Sequence, residues 1–269
     1  MLYLVATPIG NLADISFRAV DILKKCDYVL CEDTRHSRIL LDHYGIRTPL
    51  KSFHRFNEAS SEDGIIEDLK EGKSIALISD AGTPLISDPG CEIVARCRHE
   101  GIEITAIPGP CAAIEALILS GFLTEQFQFI GFLPKKEKEL QMVLNQAAFY
   151  SGTTIAYESP HRIEETLKQL AHLFPQRKLS ICRELTKLHE EILNGNAHEI
   201  LEHFKENPPR GELVLLISPP AKKIFLEHLS LIELVEMFQN DLRLSKRDAI
   251  KMAAEVRHLP KRDVYKEFI

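Results

Sequence analysis

Short apolar runs alternate with longer amphipathic stretches over the first 120 of the chain's 269 residues. YLVA (Tyr3–Ala6), YVLCE (Tyr28–Glu32), SIALIS (Ser74–Ser79) and EITAIP (Glu103–Pro108) read as buried strands. Between them lie helical patterns. Asp14 or Ser16 can cap a helix with Ala19, Val20, Leu23 and Cys26 on its apolar face, and Asp33 or Thr34 can cap the next, which stops at Gly45. Glu58–Glu71 stops at Gly72, Cys91–Glu100 at Gly101, and Cys111–Ser120 at Gly121. Strand followed by helix, repeated, predicts crossover connections and a largely parallel sheet.

A second α/β sheet follows. FQFIGFL (Phe127–Leu133), TTIAYES (Thr153–Ser159), KLSICREL (Lys178–Leu185) and GELVLLIS (Gly211–Ser218) read as strands, with HEEILNG (His189–Gly195) as an edge strand. Gln141–Tyr150 and Ile163–Phe174 read as helices between them. PPAKK (Pro219–Lys223) reads as a linker to a tail with three short helical patterns. In that tail Ser245 and Asp248 resemble a capping box and Pro260 opens a further helix, a helix-turn-helix-like arrangement. The expected division is an α/β domain at 1–121, a second α/β domain at 122–220 and a helical domain at 221–269.

Ligands of open parallel sheets lie beyond the carboxyl ends of the strands. TPIGN (Thr7–Asn11), CEDTR (Cys31–Arg35), SDAGTPLISDPG (Ser79–Gly90) and PGP (Pro108–Pro110) all fall there. TPIGN is no dinucleotide fingerprint, since it has one glycine and Pro8 lacks an N–H. SDAGTPLISDPG holds two Asp, two Gly, two Pro and no cation. Asp80 and Asp88 would repel a pyrophosphate, whereas a ligand with positive charge and no phosphate suits them, S-adenosylmethionine being one. Of the two aspartates, Asp80 falls in the expected cofactor segment, Asp80–Ile86, and Asp88, within Ser87–Gly90, is expected to cap the next helix. CEDTRHSR brings carboxylates and arginines together, FHRFNE (Phe53–Glu58) adds a histidine and an amide, and YESPHR (Tyr157–Arg162) and RELTK (Arg183–Lys187) place further charges at strand ends.

Net charge is −6, which excludes a uniformly basic nucleic-acid coat. The charge is uneven. From Ala221 onward there are ten Lys/Arg against eight Asp/Glu, leaving twenty-three against thirty-one in the body. KRDAIKMAAEVRHLPKRDVYK (Lys246–Lys266) threads cations through an amphipathic pattern, as a nucleic-acid contact or an ordinary charged helical face would. Six cysteines without CxxC spacing read as free thiols in a reducing compartment, and the opening MLYLVATPIGN has no leader pattern, so a cytoplasmic location is expected. No apolar run is long enough for a membrane span, and no metal-ligand spacing is present.

Taken together, VATPIGNLADI, CEDTR, FHRFNE, SDAGTPLISDPG, PGPCAAIEAL, GFLPKK, YESPHR and RGE resemble the bacterial ribosomal RNA small subunit methyltransferase I family, of the tetrapyrrole methylase fold, along nearly the whole chain. The resemblance implies two α/β domains with a cleft between them and a small C-terminal helical domain. It implies S-adenosylmethionine as cofactor, S-adenosylhomocysteine as product, and 2′-O-methylation of a cytidine in the decoding region of 16S ribosomal RNA. The partner implied is small-subunit RNA in the assembled 30S subunit, and the state a homodimer. Carried over, cofactor contacts fall on Pro8, Asp80, Gly82, Thr83, Pro84, Ile86, Ala112, Ala113, Leu133, Glu158, Gly211 and Glu212.

Glu32, Asp33, His54 and Glu184 are the candidates to accept the hydroxyl proton. Arg35, Arg55, Asn57 and Lys187, with Lys246, Arg247, Lys261 and Arg262 of the tail, are candidate RNA contacts. The chain departs from the family at Phe56, where a second histidine is frequent. A tetrapyrrole methyltransferase and a non-catalytic ribosome-assembly factor stand as alternatives.

Overall fold

The computed structural model describes residues 1–221, 229–241, 244–257 and 259–268. Lys222 and Lys223, at the end of the expected linker, and His258 of the basic tail lie outside them. The chain forms two compact units, residues 1–115 with 184–190, and residues 116–183 with 191–269.

The first unit runs β1 (Leu2–Val5), α1 (Phe17–Lys25), β2 (Tyr28–Cys31), α2 (Thr34–His43), β3 (Leu50–Ser52), α3 (Glu58–Lys70), β4 (Ile75–Leu77), α4 (Cys91–His99) and β5 (Ile104–Ile107), then enters α5 (Ala112–Ser120). Its five strands lie in the order β3-β2-β4-β1-β5, all parallel. Side chains alternate across a strand, so each run feeds two cores. Leu30, Ile75 and Leu77 pack with Ile65, Ile66, Leu69 and Ile93 of α3 and α4. Val29, Cys31 and Ala76 pack with Ala19, Leu23 and Leu41 of α1 and α2. Burial on both faces is why these strands are apolar throughout. β3 is the strand the sequence pattern does not reveal. It is a three-residue edge strand, LKS, with Lys51 and Ser52 exposed, so it carries no apolar run.

The second unit runs β6 (Phe127–Phe132), α6 (Glu137–Phe149), β7 (Thr153–Glu158), α7 (Ile163–Leu173), β8 (Leu179–Arg183), β9 (Glu191–Gly195), α8 (Ala197–Glu206) and β10 (Leu213–Ile217). Its order is β6-β7-β10-β8-β9, with β6–β7 parallel and the other pairs antiparallel. β9 is an edge strand, as expected. α8 was not anticipated, although its signal is in the chain. Asn196 accepts the N–H groups of His198 and Glu199, and Glu199 accepts that of Asn196 at 2.7 Å, a reciprocal cap.

The tail forms α9 (Leu231–Asp241), α10 (Lys246–Val256) and α11 (Lys261–Lys266) around Leu234, Val235, Phe238, Ile250, Ala253 and Val264. This cluster is continued by Phe149, whose ring lies 5.2 Å from that of Phe238. Ser245 caps α10 by accepting the Asp248 N–H at 3.2 Å. Its hydroxyl in turn donates to the Asp248 carboxylate at 2.6 Å. All six thiols are free, and Cys26, Cys31, Cys97 and Cys182 are buried. Among the described residues no helix is long and apolar enough to cross a membrane.

Leu215 lies at the centre of β10, fully buried between β7 and β8. Leu215→Ala should cost about 2–5 kcal/mol, the range for a buried leucine truncation. It should appear in urea denaturation as an earlier unfolding midpoint.

Candidate functional site

Because all five strands of the first sheet are parallel, the segments after them share one edge. Two of these segments are joined by backbone. Thr7 and Gly82 form an antiparallel bridge, with Thr7 N–H to Gly82 O at 2.9 Å and Gly82 N–H to Thr7 O at 3.0 Å. The buried Thr7 hydroxyl lies 3.3 Å from Ser79 O and 3.4 Å from Gly82 O. Thr83 donates its hydroxyl to Pro110 O at 2.9 Å, adding the turn before α5. The Asp33 N–H donates to Asp80 Oδ1 at 3.1 Å, adding CEDTR, and the Gly90 N–H donates to Glu58 Oε1 at 3.0 Å, adding the start of α3. The acidic loop is thus the hub to which the other strand-end segments are tied.

Gly82 has φ +80, and a Cβ there would lie 3.2 Å from Ile9 Cγ2 and 3.6 Å from Pro110 O. Glycine leaves a small cradle at this point. Leu85 (φ 72) and Ser87 (φ 73) share its left-handed backbone, as do Glu184 (φ 51) and Thr186 (φ 66). Such residues cost of order 1–3 kcal/mol each and gather at functional segments. Glu184–Glu190 interrupts the second sheet's chain yet belongs to the first unit. Thr186 Oγ1 accepts the Asn11 N–H at 3.0 Å, and a Cβ on Gly10 would overlap the Lys187 side chain. Sequence reading singled out RELTK for its charges but missed this latch onto TPIGN, which depends on a contact across 175 residues of chain.

The acid candidates divide. Asp33 caps α2 through the Arg35 N–H at 2.8 Å and pairs with the Arg35 guanidinium at 3.0 Å. Hydrogen bonding to Arg35 holds its carboxyl down at about 2, which makes it a poor base. Glu184 pairs with Lys187 at 3.0 Å. Glu32 is exposed and faces Asp88 electrostatically. His54 has a buried Nδ1 with no hydrogen-bond partner, while its N–H donates to Asn57 Oδ1 at 2.7 Å. Asn57, a candidate RNA contact, spends its side chain on this turn, donating to Ser52 O at 3.0 Å. Arg55 is exposed.

Asp88 does not cap α4, contrary to expectation. Gly90, which has no side chain to offer, is the N-cap. Burial pushes the Asp88 carboxyl up to about 6, the charges of Glu32 and Asp80 add to this, and the Ser79 hydroxyl and Arg55 oppose it. A titratable acid inside the hub is legible only once the loop is folded back on β2 and β4.

The other carried-over positions of the first unit are Pro8, which follows Thr7, Pro84, which is buried, Ile86, which is exposed, and Ala112 and Ala113, which open α5. In the second unit the four carried-over positions come together at one end of the sheet. Leu133 N–H donates to Tyr157 O at 3.2 Å, Glu158 ends β7 opposite Leu213, and Gly211 and Glu212 lead into β10. Glu158 is 2% exposed and accepts from Thr166 Oγ1 at 2.9 Å and Ser159 N–H at 2.8 Å, with the Arg162 guanidinium at 3.4 Å. Its carboxylate is therefore fully engaged within the second unit. Lys246 and Arg247 open α10, Lys261 and Arg262 open α11, and all four are exposed. Among the described residues no group of three His, Cys, Asp or Glu is arranged to hold a metal ion.

The sequence pattern of the tetrapyrrole (corrin/porphyrin) methylases matches residues 1–201. Solved structures of that fold resemble this one. Cobalt precorrin-4 methyltransferase, a cobalamin biosynthetic enzyme, superposes with TM-score 0.60 at 18% identity, over 81% of this chain and 94% of that one. Diphthine synthase does so with TM-score 0.64 at 13% identity, over 81% and 89%. Much nearer in sequence are proteins named ribosomal RNA small subunit methyltransferase I. That of Halalkalibacterium halodurans is 45% identical, covering 98% of this chain and 93% of that protein. That of Bacillus subtilis is 44% identical, covering 98% and 92%. The chain belongs to the tetrapyrrole methylase family and, within it, to the ribosomal RNA small subunit methyltransferase I family.

The Asp88 geometry has a measurable consequence. A carboxyl whose folded value is about 6 rather than 3.8 binds more protons folded than unfolded, so stability falls as pH rises between those values. Asp88→Asn should stabilise the protein at pH 7.5, by about 1 kcal/mol once solvent screening of this half-exposed group is allowed for, and leave it nearly unchanged at pH 4. Denaturant midpoints at the two pH values, wild type against variant, provide the measurement.

Proposed function

We propose that the protein transfers a methyl group from S-adenosylmethionine to the ribose 2′-hydroxyl of a cytidine in the decoding region of 16S ribosomal RNA, leaving S-adenosylhomocysteine. The observation that carries this reading is the bridged Thr7–Gly82 cradle, ringed by carboxylates with no cation in its own loop, in a chain of this family. The residues present fit the cofactor. The space a Cβ would fill at Gly82 lets a ligand approach backbone, and Asp80 and Asp88 favour a cationic centre over a phosphate. Pro8, Asp80, Gly82, Thr83, Pro84, Ile86, Ala112 and Ala113 would hold it in the first unit. The cofactor supplies an electrophilic methyl group on a sulfonium.

What remains for the protein is orientation and one proton. The ribose hydroxyl must give up its proton as the oxygen becomes an ether. Asp33 is held too acidic and Glu184 is paired with Lys187, so Glu32 and His54 are the better acceptors. Arg35, Arg55 and Lys187 would face phosphates of the strand. Lys246, Arg247, Lys261 and Arg262 sit in the first turns of α10 and α11, where the helix dipole disfavours a cation and favours an anion, as RNA contacts would. The same reading takes the assembled 30S subunit as substrate, the cytoplasm as location and a homodimer as the working form.

Labelled methyl transfer to small subunits from cells lacking the modification, followed by nucleoside analysis, tests the reaction. The product expected is 2′-O-methylcytidine. A methylated base, or no product, would refute it. Gly82→Val tests the cradle. Calorimetry should show at least a tenfold loss of S-adenosylmethionine affinity, with a fold intact by circular dichroism despite about 1–2 kcal/mol of backbone strain. Unchanged affinity would remove Gly82 from the site.

A further inference from the structure

The three most exposed large apolar side chains among the described residues are Phe56 (98%), Phe17 (94%) and Leu188 (93%). A lone exposed apolar residue needs no explanation. These three all belong to the first unit, and all lie on segments at its strand-end edge. Phe56 lies between β3 and α3, Phe17 opens α1 after the TPIGN loop, and Leu188 lies in the segment latched to that loop.

Phe56 is the most exposed and the most firmly presented. Phe53 is wholly buried and anchors the start of its loop. The His54 N–H donates to Asn57 Oδ1 at 2.7 Å, Asn57 Nδ2 donates to Ser52 O at 3.0 Å, and the Asn57 and Glu58 N–H groups both donate to His54 O at 2.9 Å. Glu58 in turn binds the acidic loop through the Gly90 N–H. The turn is held at both ends and across its middle, and its apex offers Arg55 and Phe56 to solvent. Arg55 makes no hydrogen bond or ion pair among the described residues. The Phe56 ring meets His54 only edge to face, with centroids 6.0 Å apart.

A phenylalanine kept in water forgoes burial worth about 2–3 kcal/mol. A hydrogen-bonded turn that presents an exposed aromatic face beside an exposed guanidinium matches a nucleotide, with the ring for the base and the cation for the phosphate. Arg35 is paired with Asp33 and Lys187 with Glu184, so it is the exposed Arg55 beside the ring that argues for RNA as the occupant. Resting on the RNA-methylating reading above, we propose that Phe56 is the stacking platform for a nucleobase of the substrate RNA at or beside the methylated nucleotide, with Arg55 on its phosphate. Phe56 is then a positioning residue.

The test compares wild type, Phe56→Ala and Phe56→Trp in methyl transfer to small subunits, in S-adenosylmethionine affinity, and in binding of a decoding-region RNA fragment carrying 2-aminopurine. Phe56→Ala should raise KM for the subunit and weaken fragment binding about 5- to 100-fold, the worth of one base–aromatic stack. It should abolish the quenching of 2-aminopurine that wild type produces and leave cofactor affinity unchanged. Phe56→Trp should restore both binding and quenching. An alanine variant within twofold of wild type, or a tryptophan variant as impaired as alanine, would overturn the proposal while leaving the methylation reading intact. A wild-type protein that neither binds nor methylates the RNA would overturn both.

Discussion

Two hydrogen bonds between Thr7 and Gly82 hold the working edge of the first unit together. β1 and β4 are adjacent parallel strands, and their trailing segments would ordinarily diverge into separate helices. The bridge draws them together, and it forms because Gly82 can adopt φ +80 without a side chain striking Ile9. Everything else at the edge is referred to that junction. Thr83 donates to the turn before α5, Asp80 accepts from Asp33 of CEDTR, and the Gly90 N–H donates to Glu58. On the other side the Asn11 N–H donates to Thr186, and Lys187 lies against Gly10. Left-handed backbone at Leu85, Ser87, Glu184 and Thr186 is the conformational strain of this arrangement.

Charge is distributed to match. The hub holds carboxylates, one of them buried enough to titrate near 6, and its cations stand outside it on exposed turns. That separation keeps the carboxylates of the hub apart from the exposed cations of the same unit. Asp33 shows how local chemistry sorts similar residues. Capping α2 and pairing with Arg35 leave it strongly acidic, while Asp88, with only the Ser79 hydroxyl and Arg55 to offset its burial, is pushed the other way.

Much of the architecture is legible in the chain. Apolar runs buried on both faces predict the inner strands, and glycines at 45, 72, 101 and 121 end the expected helices with positive φ. The two elements that escape prediction do so for different reasons: β3 carries no apolar run, whereas α8 packs Ala197, Ile200 and Phe204 into the core of the second unit and was not anticipated from its pattern. β3 is an edge strand of three residues, and α8 is marked by its Asn196–Glu199 cap more than by its length. Of the candidate site, the loops are legible by composition and resemblance, but their use is not. The sequence marks Glu158 and Asn57 as candidates, and the structure adds that Glu158 accepts from Thr166 and Ser159 and that Asn57 bonds across its own turn.

By itself, then, the sequence determined the alternation of strands and helices, the position of the reactive loops at strand ends and the family to which they belong. These follow from local periodicity, turn chemistry and motif order, which act over a few residues. Only the tertiary structure decided that residues 184–190 join the first unit, that Asp88 sits beside Glu32 and Asp80, and that Phe56 stands bare on a locked turn. Each of those depends on contacts between segments far apart in the chain, or on how much water packing leaves around a side chain. No local pattern encodes either quantity.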